Sequence, residues 1–271
     1  MLLDNRYFKN NKKKYDYLVK ENLRDAQNFN GWLVNFAPTG NLNLKFETKL
    51  VDEEKLNYKD FWNYDFSKIL KNDSLTECLQ LRCSTPVNLL RNTWTEAEIF
   101  YLLNQAICDG KRRKIYKDEY IPLRNYPSGG AQYPIKLYLV SNKNIGFFKK
   151  NRSYEVHADL GIVTEVENTN FNFKDIFAIS HFNKEISQET EELAFAIVMV
   201  MNLKHSFKKY KYYSRQLAVI ESGHIAQNLQ LVSTSIGKTS LPNGGILSDY
   251  TKNSIGLSDS KDDVVIYGVA F

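Results

Sequence analysis

Four short segments of this sequence hold the residue types that could do chemistry. Arg-Cys-Ser at residues 82–84 sets a guanidinium two residues from a hydroxyl, a pair suited to a phosphate group. Residues 124–134 contain Pro-Ser-Gly-Gly, whose glycines lack a Cβ and would let the backbone approach a flat or anionic group. Residues 208–213 form a basic aromatic run, and residues 221–229 place a glycine inside a helical pattern. Each segment taken alone also fits an ordinary surface arginine, turn, loop or helix.

The glycine in the fourth segment, Gly223, is the unusual feature of that helix. A glycine inside a helix costs about 1 kcal/mol relative to alanine, so it is expected where another group must approach the backbone. Glu221, His224 and Asn228 recur at a spacing that places them on one side of the helix. The segment therefore predicts a helix with one polar side and a closely approached backbone.

Together and in this order, the four segments resemble the SagB-type azoline dehydrogenases of the nitroreductase superfamily. The resemblance covers residues 78–271 and lies in Arg-Cys-Ser, Arg-Asn-Tyr-Pro-Ser-Gly-Gly-Ala-Gln-Tyr-Pro, Lys-Tyr and Glu-Ser-Gly-His-Ile-Ala-Gln-Asn-Leu. It implies a homodimer that binds FMN at the subunit interface and oxidises thiazoline and oxazoline rings to thiazole and oxazole. It also implies that the substrate is a ribosomally made precursor peptide, and that cyclodehydratase subunits of a synthetase complex are partners.

The resemblance also implies roles for individual residues. Lys209 and Tyr210 would be the catalytic pair, and Lys209 is chosen because counting back from Glu221 places it where relatives carry the lysine. The cofactor-binding residues would be Arg82 and Ser84 at the phosphate and ribityl chain, Pro127, Ser128 and Gly129 along the isoalloxazine, and Glu221 and Gly223 on the long helix. The turn at residues 243–245 matches a loop near the cofactor in relatives.

The sequence departs from the family at several positions. Pro86 stands where relatives often carry a basic residue, His205 replaces an arginine, and Tyr213 and Arg215 replace an arginine and a tyrosine. These changes weaken the expected phosphate contacts and the edge of the active site. Two alternatives therefore stay open: a generic NAD(P)H-dependent nitro or quinone reductase, which would not need Lys209, and a flavin-free scaffold subunit of the synthetase.

The elements that must position these residues can be predicted from local patterns. Thr95 and Glu98 have the spacing of a capping box before an apolar helix face, and a long amphipathic helix is predicted over residues 217–236. The other predicted elements are strands at residues 135–140 and 264–269, a two-stranded ribbon over 145–156, and a buried helix over 189–201. This mixture predicts an α+β class. The resemblance implies a nitroreductase-like fold, with a central, mainly antiparallel sheet flanked by helices.

Composition limits the remaining function classes. Hydrophobic residues make up 43% of the chain, enough for a substantial core. The sequence divides into an aromatic N-terminal extension over residues 1–74 and an FMN-binding domain over residues 75–271. The net charge of +5 comes from 36 basic and 31 acidic residues, which predicts no nucleic-acid partner. Three cysteines without a paired spacing predict a reducing cytoplasm, and four widely separated histidines predict no metal site. No segment has the pattern of a signal peptide or a membrane span.

Overall fold

The structure, a computed structural model, describes residues 58–60, 74–90, 92–108, 112–116, 119–167, 171–178 and 184–271. The predicted N-terminal extension over residues 1–74 lies outside these ranges, apart from residues 58–60 and 74. Residues 58–60 form a short strand that joins the main sheet.

The described residues contain nine strands and six α-helices. The strands are β1 Tyr58–Asp60, β2 Arg112–Tyr116, β3 Glu119–Pro122, β4 Ile135–Ser141, β5 Arg152–His157, β6 Ile162–Glu165, β7 Phe195–Asn202, β8 Leu241–Asn243 and β9 Asp263–Ala270. The helices are α1 Leu75–Leu81, α2 Glu96–Ala106, α3 Lys184–Thr190, α4 Ser206–Tyr210, α5 Tyr213–Ser235 and α6 Ser248–Ser254. None of these helices is long and apolar enough to cross a membrane.

Seven of these strands form one sheet in the order β1-β6-β5-β4-β7-β9-β8, while β2 and β3 pair separately. Every neighbouring pair in the sheet is antiparallel. Helices α2 and α5 cover one face, where their apolar side chains join those of the central strands in one core cluster. The other face packs against a second apolar cluster that includes the 3₁₀ turn Phe173–Ile176. The predicted α+β class and the antiparallel sheet flanked by helices are confirmed.

Local sequence signals explain the two helices that support the site. The Thr95 hydroxyl accepts a hydrogen bond from the Glu98 backbone at 3.2 Å, and the Glu98 carboxylate accepts one from the Thr95 backbone at 2.8 Å. This capping box starts α2 as predicted. Helix α5 extends the predicted span of 217–236 by four residues at its N-terminus, and it ends before Gly237, which has a positive φ of 71°.

The predicted buried helix over residues 189–201 is wrong: α3 ends at Thr190, and residues 195–202 form β7. Strand β7 pairs with β4 on one side and β9 on the other. Its side chains alternate between the two core clusters, with Ile197 in one and Val198 in the other. A strand buried on both faces is apolar throughout, so its sequence lacks the alternation that separates a strand from a buried helix.

The predicted ribbon over residues 145–156 is also corrected. Residues 145–148 form a tight turn closed by an isolated bridge between Ile145 and Phe148, and only residues 152–157 form a strand. That strand, β5, pairs with β4 and β6 and has no partner strand in the 145–148 turn. The two predicted strands at 135–140 and 264–269 are confirmed as β4 and β9, each extended by one or two residues.

Candidate functional site

An arginine anchors the start of the loop at residues 124–134. The Arg124 guanidinium donates two hydrogen bonds to the Asp159 carboxylate, both at 2.9 Å, and a third to the Tyr126 hydroxyl at 2.6 Å. Its planar group also lies 4.4 Å from the centre of the Tyr133 ring. A bidentate arginine stacked on an aromatic ring has little freedom, so this part of the loop is fixed before any ligand arrives.

The middle of the loop has a strained backbone. Gly130, Ala131 and Tyr133 have φ values of 60°, 54° and 45°, a region that residues with a Cβ seldom adopt. The Ser128 hydroxyl stabilises the turn by accepting a hydrogen bond from the Tyr133 backbone at 2.9 Å. Backbone strain of this kind collects at functional sites, where the surrounding structure holds it in place.

Lys209 and Tyr210 lie directly against this strained turn. A Cβ built on Gly130 would collide with the Tyr210 hydroxyl and would lie 2.7 Å from Lys209 Nζ. The Lys209 ammonium nitrogen is 5.0 Å from the centre of the Tyr210 ring. The structure therefore brings the predicted catalytic pair and the Pro-Ser-Gly-Gly loop together, with the Tyr210 hydroxyl and Lys209 Nζ in the space that a side chain at residue 130 would enter.

The run at residues 208–213 contains a second Lys-Tyr pair, Lys211 with Tyr212, and this pair is exposed. Lys209 and Tyr210 are half-buried at the end of α4, whereas Lys211 is exposed and Tyr212 is 87% exposed. Lys211 has a φ of 50°, which turns the chain outward between α4 and α5. Of these two pairs, Lys209 with Tyr210 is therefore the one that contacts the loop.

Glu221 lies beneath the loop and is only 1% exposed. One carboxylate oxygen accepts a weak hydrogen bond from the Ile135 backbone at 3.4 Å, and the other has no hydrogen-bond partner among the described residues. Burial raises the pKa of Glu221 to about 7, although the nearby Ser128 hydroxyl and Arg124 act to lower it. This carboxyl group, predicted as a cofactor contact, is therefore an inward-facing group that gains or loses a proton near neutral pH.

Two further side chains on the same side of α5 hold the loop. Asn228 donates hydrogen bonds to the Asn125 carbonyl at 2.8 Å and to the Ala106 carbonyl at 3.1 Å, which joins the loop to the end of α2. His224 Nδ1 lies 3.3 Å from the Pro127 carbonyl, and it must carry the proton because a carbonyl can only accept. Glu221, His224 and Asn228 thus lie on one side of α5, as predicted, and that side faces the loop.

Arg82 and Ser84 lie at the other end of α5. Ser84 forms a bridge with Ser240, and its hydroxyl is 3.5 Å from the Gln230 side-chain amide. Gln230 follows Glu221 by nine residues, which is about 13 Å along the helix axis. Within one chain, Glu221 and the Lys-Tyr pair therefore lie toward the N-terminal half of α5, and the Arg82–Ser84 segment lies beside Gln230. The loop runs along the helix between them, from Leu217 to Asn228.

The Arg82–Ser84 end has features that suit an anion. Arg82 is half-buried and has no ion pair with any residue that the structure describes. The turn at residues 243–245, in which the Asn243 side chain accepts a hydrogen bond from Gly245 N at 2.6 Å, follows Ser240 by three residues. The turn thus follows closely in sequence the bridge between Ser84 and Ser240.

Gly223 occupies an open part of α5. A Cβ built there would have no atom within 4 Å, so nothing in the chain itself requires a glycine at this position. Its neighbours on the helix, Val219 and Ile220, are each 52% exposed. By contrast, a Cβ on Gly129 would lie 2.8 Å from the Leu217 side chain. Helix α5 thus presents an open face, with a bare backbone and two exposed aliphatic side chains, beside the face that supports the loop.

Sequence reasoning missed the clamp between Arg124 and Asp159. Arg124 stood inside the recognised motif but had no assigned role, and Asp159 lies 35 residues later in the turn after β5. No local signal connects two residues so far apart in the sequence. Tyr133 was missed for a different reason, since its role depends on a positive φ that a tyrosine seldom adopts.

Comparisons with known proteins agree on the fold. The model of the nitroreductase family matches residues 89–271. A chain in the structure of the Escherichia coli microcin synthetase McbBCD complex with truncated pro-MccB17 bound is 20% identical with a TM-score of 0.57, over 88% of this chain and 79% of that one. A protein from Anabaena variabilis assigned as a nitroreductase is 17% identical with a TM-score of 0.53, over 82% of this chain and 42% of that one. No curated protein sequence matches.

Proposed function

Because this chain belongs to the nitroreductase family, we propose that it is an FMN-dependent dehydrogenase that oxidises thiazoline and oxazoline rings of a ribosomally made precursor peptide. The observation that carries this proposal is the contact of Lys209 and Tyr210 with the loop at Gly130. The motifs and chain length resemble those of McbC, the dehydrogenase of a microcin synthetase. The shared fold with a chain of the E. coli complex, which holds truncated pro-MccB17, supports a peptide substrate.

The residues of the site fit FMN. Arg82, which has no ion pair among the described residues, and Ser84 would hold the phosphate, because a phosphate monoester needs a cation and a hydroxyl donor. The fixed loop at residues 127–129 would line the isoalloxazine, and the bare backbone at Gly223 leaves room for a planar group. When bound, FMN supplies a two-electron acceptor for a hydride.

Lys209 is proposed as the base of the reaction. In an azoline, the ring carbon that bears the peptide carbonyl has an acidified C–H bond, and oxidation removes this proton together with a hydride from the neighbouring ring carbon. Lys209 in its neutral form would accept the proton at Nζ. The Tyr210 hydroxyl, which lies beside the same turn, would orient the ring or assist the transfer.

Ring formation needs a separate activity, so the dehydrogenase is proposed to work in a complex with cyclodehydratase subunits. Residues 1–74 are the candidate docking region for these partners, and they lie almost wholly outside the described residues. The chain described here would then act after the cyclodehydratase, on rings that are already closed.

The purified protein is expected to contain FMN, seen as a flavin absorption spectrum and as FMN released on denaturation. Arg82→Ala should weaken FMN binding roughly 10- to 100-fold, because a hydrogen bond to a charged group contributes about 1.5–3 kcal/mol. Arg152→Ala is the matched control, since Arg152 is exposed on β5 and makes only a long ion pair of 3.6 Å. A colourless protein that takes up no added FMN would contradict the proposed cofactor.

A homodimer is also expected. In the family that the sequence resembles, the flavin site is built from two chains, and the open face of α5 with Val219 and Ile220 is the candidate contact. Ile220→Asp on the open face of α5 should raise the dimer dissociation constant on the order of 100-fold or more, because an unpaired charge is costly in an apolar contact. Light scattering tests this, with Val264→Asp on β9 as the control. A wild-type monomer that still binds FMN would show that one chain suffices.

A further inference from the structure

The surface next to the Lys209–Tyr210 pair combines exposed aromatic rings with exposed cations. Phe207 and Tyr212 are 41% and 87% exposed, and their rings meet edge to face with centres 5.7 Å apart. Lys211 Nζ lies 5.9 Å from the centre of the Phe207 ring. Lys208 is exposed on the same short helix. These four residues, Phe207, Lys208, Lys211 and Tyr212, are called the 207–212 surface.

The positive charges near this surface have no acidic neighbours in sequence and no ion-pair partners among the described residues. Residues 193–220 contain no Asp or Glu, yet residues 204–215 carry four cations besides the proposed base Lys209: Lys204, Lys208, Lys211 and Arg215. None of these four side chains takes part in an ion pair with a described residue. Such a surface attracts carboxylates.

The backbone holds the aromatic part of the surface outward. The Lys211 backbone N–H donates to the Phe207 carbonyl at 2.9 Å, and Lys211 then adopts φ 50° and ψ −133°. This turn leaves Tyr212 almost fully exposed although it directly precedes a long helix. Exposed tyrosines with few side-chain rotamers are typical of contact surfaces, since they bury a large area at a low entropic cost.

We propose that the 207–212 surface binds the precursor peptide beside the ring that is being oxidised, and that it favours peptides with Asp or Glu near that ring. The proposal rests on the proposed function, because it takes an azoline peptide as the substrate. Tyr212 is three residues from Lys209, so their Cα atoms are at most about 11 Å apart. That distance corresponds to three or four residues of an extended peptide. The lysines would pair with the carboxylates, and the rings would pack on the peptide chain.

The test compares azoline peptides with Asp or with Asn on both sides of one thiazoline, using the FMN-loaded full-length protein. The wild type should have a lower KM for the Asp peptide. In the double variant Lys208→Glu, Lys211→Glu this preference should disappear or reverse, with KM for the Asp peptide rising roughly tenfold or more. The control Lys150→Glu, Lys261→Glu changes the net charge equally at exposed positions elsewhere and should keep the preference. Equal KM values in the wild type, or equal losses in both double variants, would overturn the proposal.

Direct binding separates this proposal from the proposed function. A fluorescently labelled Asp-flanked peptide should bind the wild type by anisotropy, and Tyr212→Ala should weaken that binding whether or not the ring is oxidised. If the peptide binds in this way but no azoline is oxidised, the proposed function fails and the docking surface stands. If azolines are oxidised but Tyr212→Ala and the double variant bind the peptide like the wild type, only the docking surface fails. A single-stranded oligonucleotide that binds through these residues, in place of the peptide, would also overturn it.

Discussion

Lys209→Ala is expected to abolish azoline oxidation while the protein stays folded and keeps its FMN. Lys209 Nζ lies beside the strained turn at Gly130, at one end of α5, whereas the proposed phosphate contacts lie at the other end. Removing the base should therefore affect the proton transfer and leave the phosphate contacts in place. General-base assistance contributes about 10²–10⁴-fold in rate, and a loss of that size is expected.

Mass spectrometry of the peptide measures this loss without ambiguity. With the partner cyclodehydratase present, the peptide should still lose water as rings form, but the further loss of two hydrogens for each oxidised ring should be absent. Tyr210→Phe should also slow oxidation, since it removes the hydroxyl next to Gly130 but keeps the ring beside Lys209. The flavin spectrum shows whether each variant has kept its cofactor.

Lys211→Ala is the control for the choice of register. It removes an exposed lysine two residues away, so at saturating peptide its rate should fall much less than that of Lys209→Ala. If Lys211→Ala abolishes oxidation and Lys209→Ala does not, the catalytic pair is Lys211 with Tyr212. If neither change affects oxidation, the assigned role of the pair fails and a generic NAD(P)H-dependent reductase becomes the better description.

The parts of the fold that the sequence predicted correctly depend on neighbouring residues. The capping box of Thr95 and Glu98 starts a helix through two hydrogen bonds three residues apart, so four residues of sequence contain the whole signal. The helix prediction for residues 195–202 failed because the secondary structure of this run depends on pairing with strands that are distant in the sequence. Only pairing with β4 and β9 makes this apolar run a strand, and nothing within the run itself excludes a helix.

In the candidate site, too, features set by neighbouring residues were predicted and features set by distant partners were not. Motif spacing identified the loop at residues 127–129, Lys209 and Tyr210, but not their contact at Gly130, which arises from packing between segments almost 80 residues apart. Nor could spacing show how deeply the carboxyl group of Glu221 is buried. Glu221 sits on the expected side of α5, yet that side is covered by the loop, and the carboxyl group is buried beneath it.

This burial predicts that the free energy of unfolding falls as the pH rises. Below about pH 4.5 Glu221 is protonated in both states and has no effect. Between 4.5 and its folded pKa of about 7, the unfolded state loses the proton and the folded state keeps it, so stability decreases. Above that range the carboxylate is charged in both states, and the loss is complete. At 1.36 kcal/mol for each pKa unit, the loss amounts to roughly 3 kcal/mol.

Glu221→Gln should remove this dependence, because the amide has nearly the same shape, can still accept from the Ile135 backbone and cannot ionise. Urea unfolding of the FMN-bound protein at pH 5 and pH 8 gives the change in the free energy of unfolding between the two pH values. Subtracting the change in Glu221→Gln from the change in wild type cancels the contributions of all other titrating groups. Glu221→Gln should be the more stable protein at pH 8 and close to wild type at pH 5. Glu167→Gln, at an exposed position, should behave as wild type at both. An equal pH dependence in Glu221→Gln and wild type would mean that Glu221 does not hold a proton in the folded state, and that its buried charge is stabilised by Ser128 and Arg124 instead.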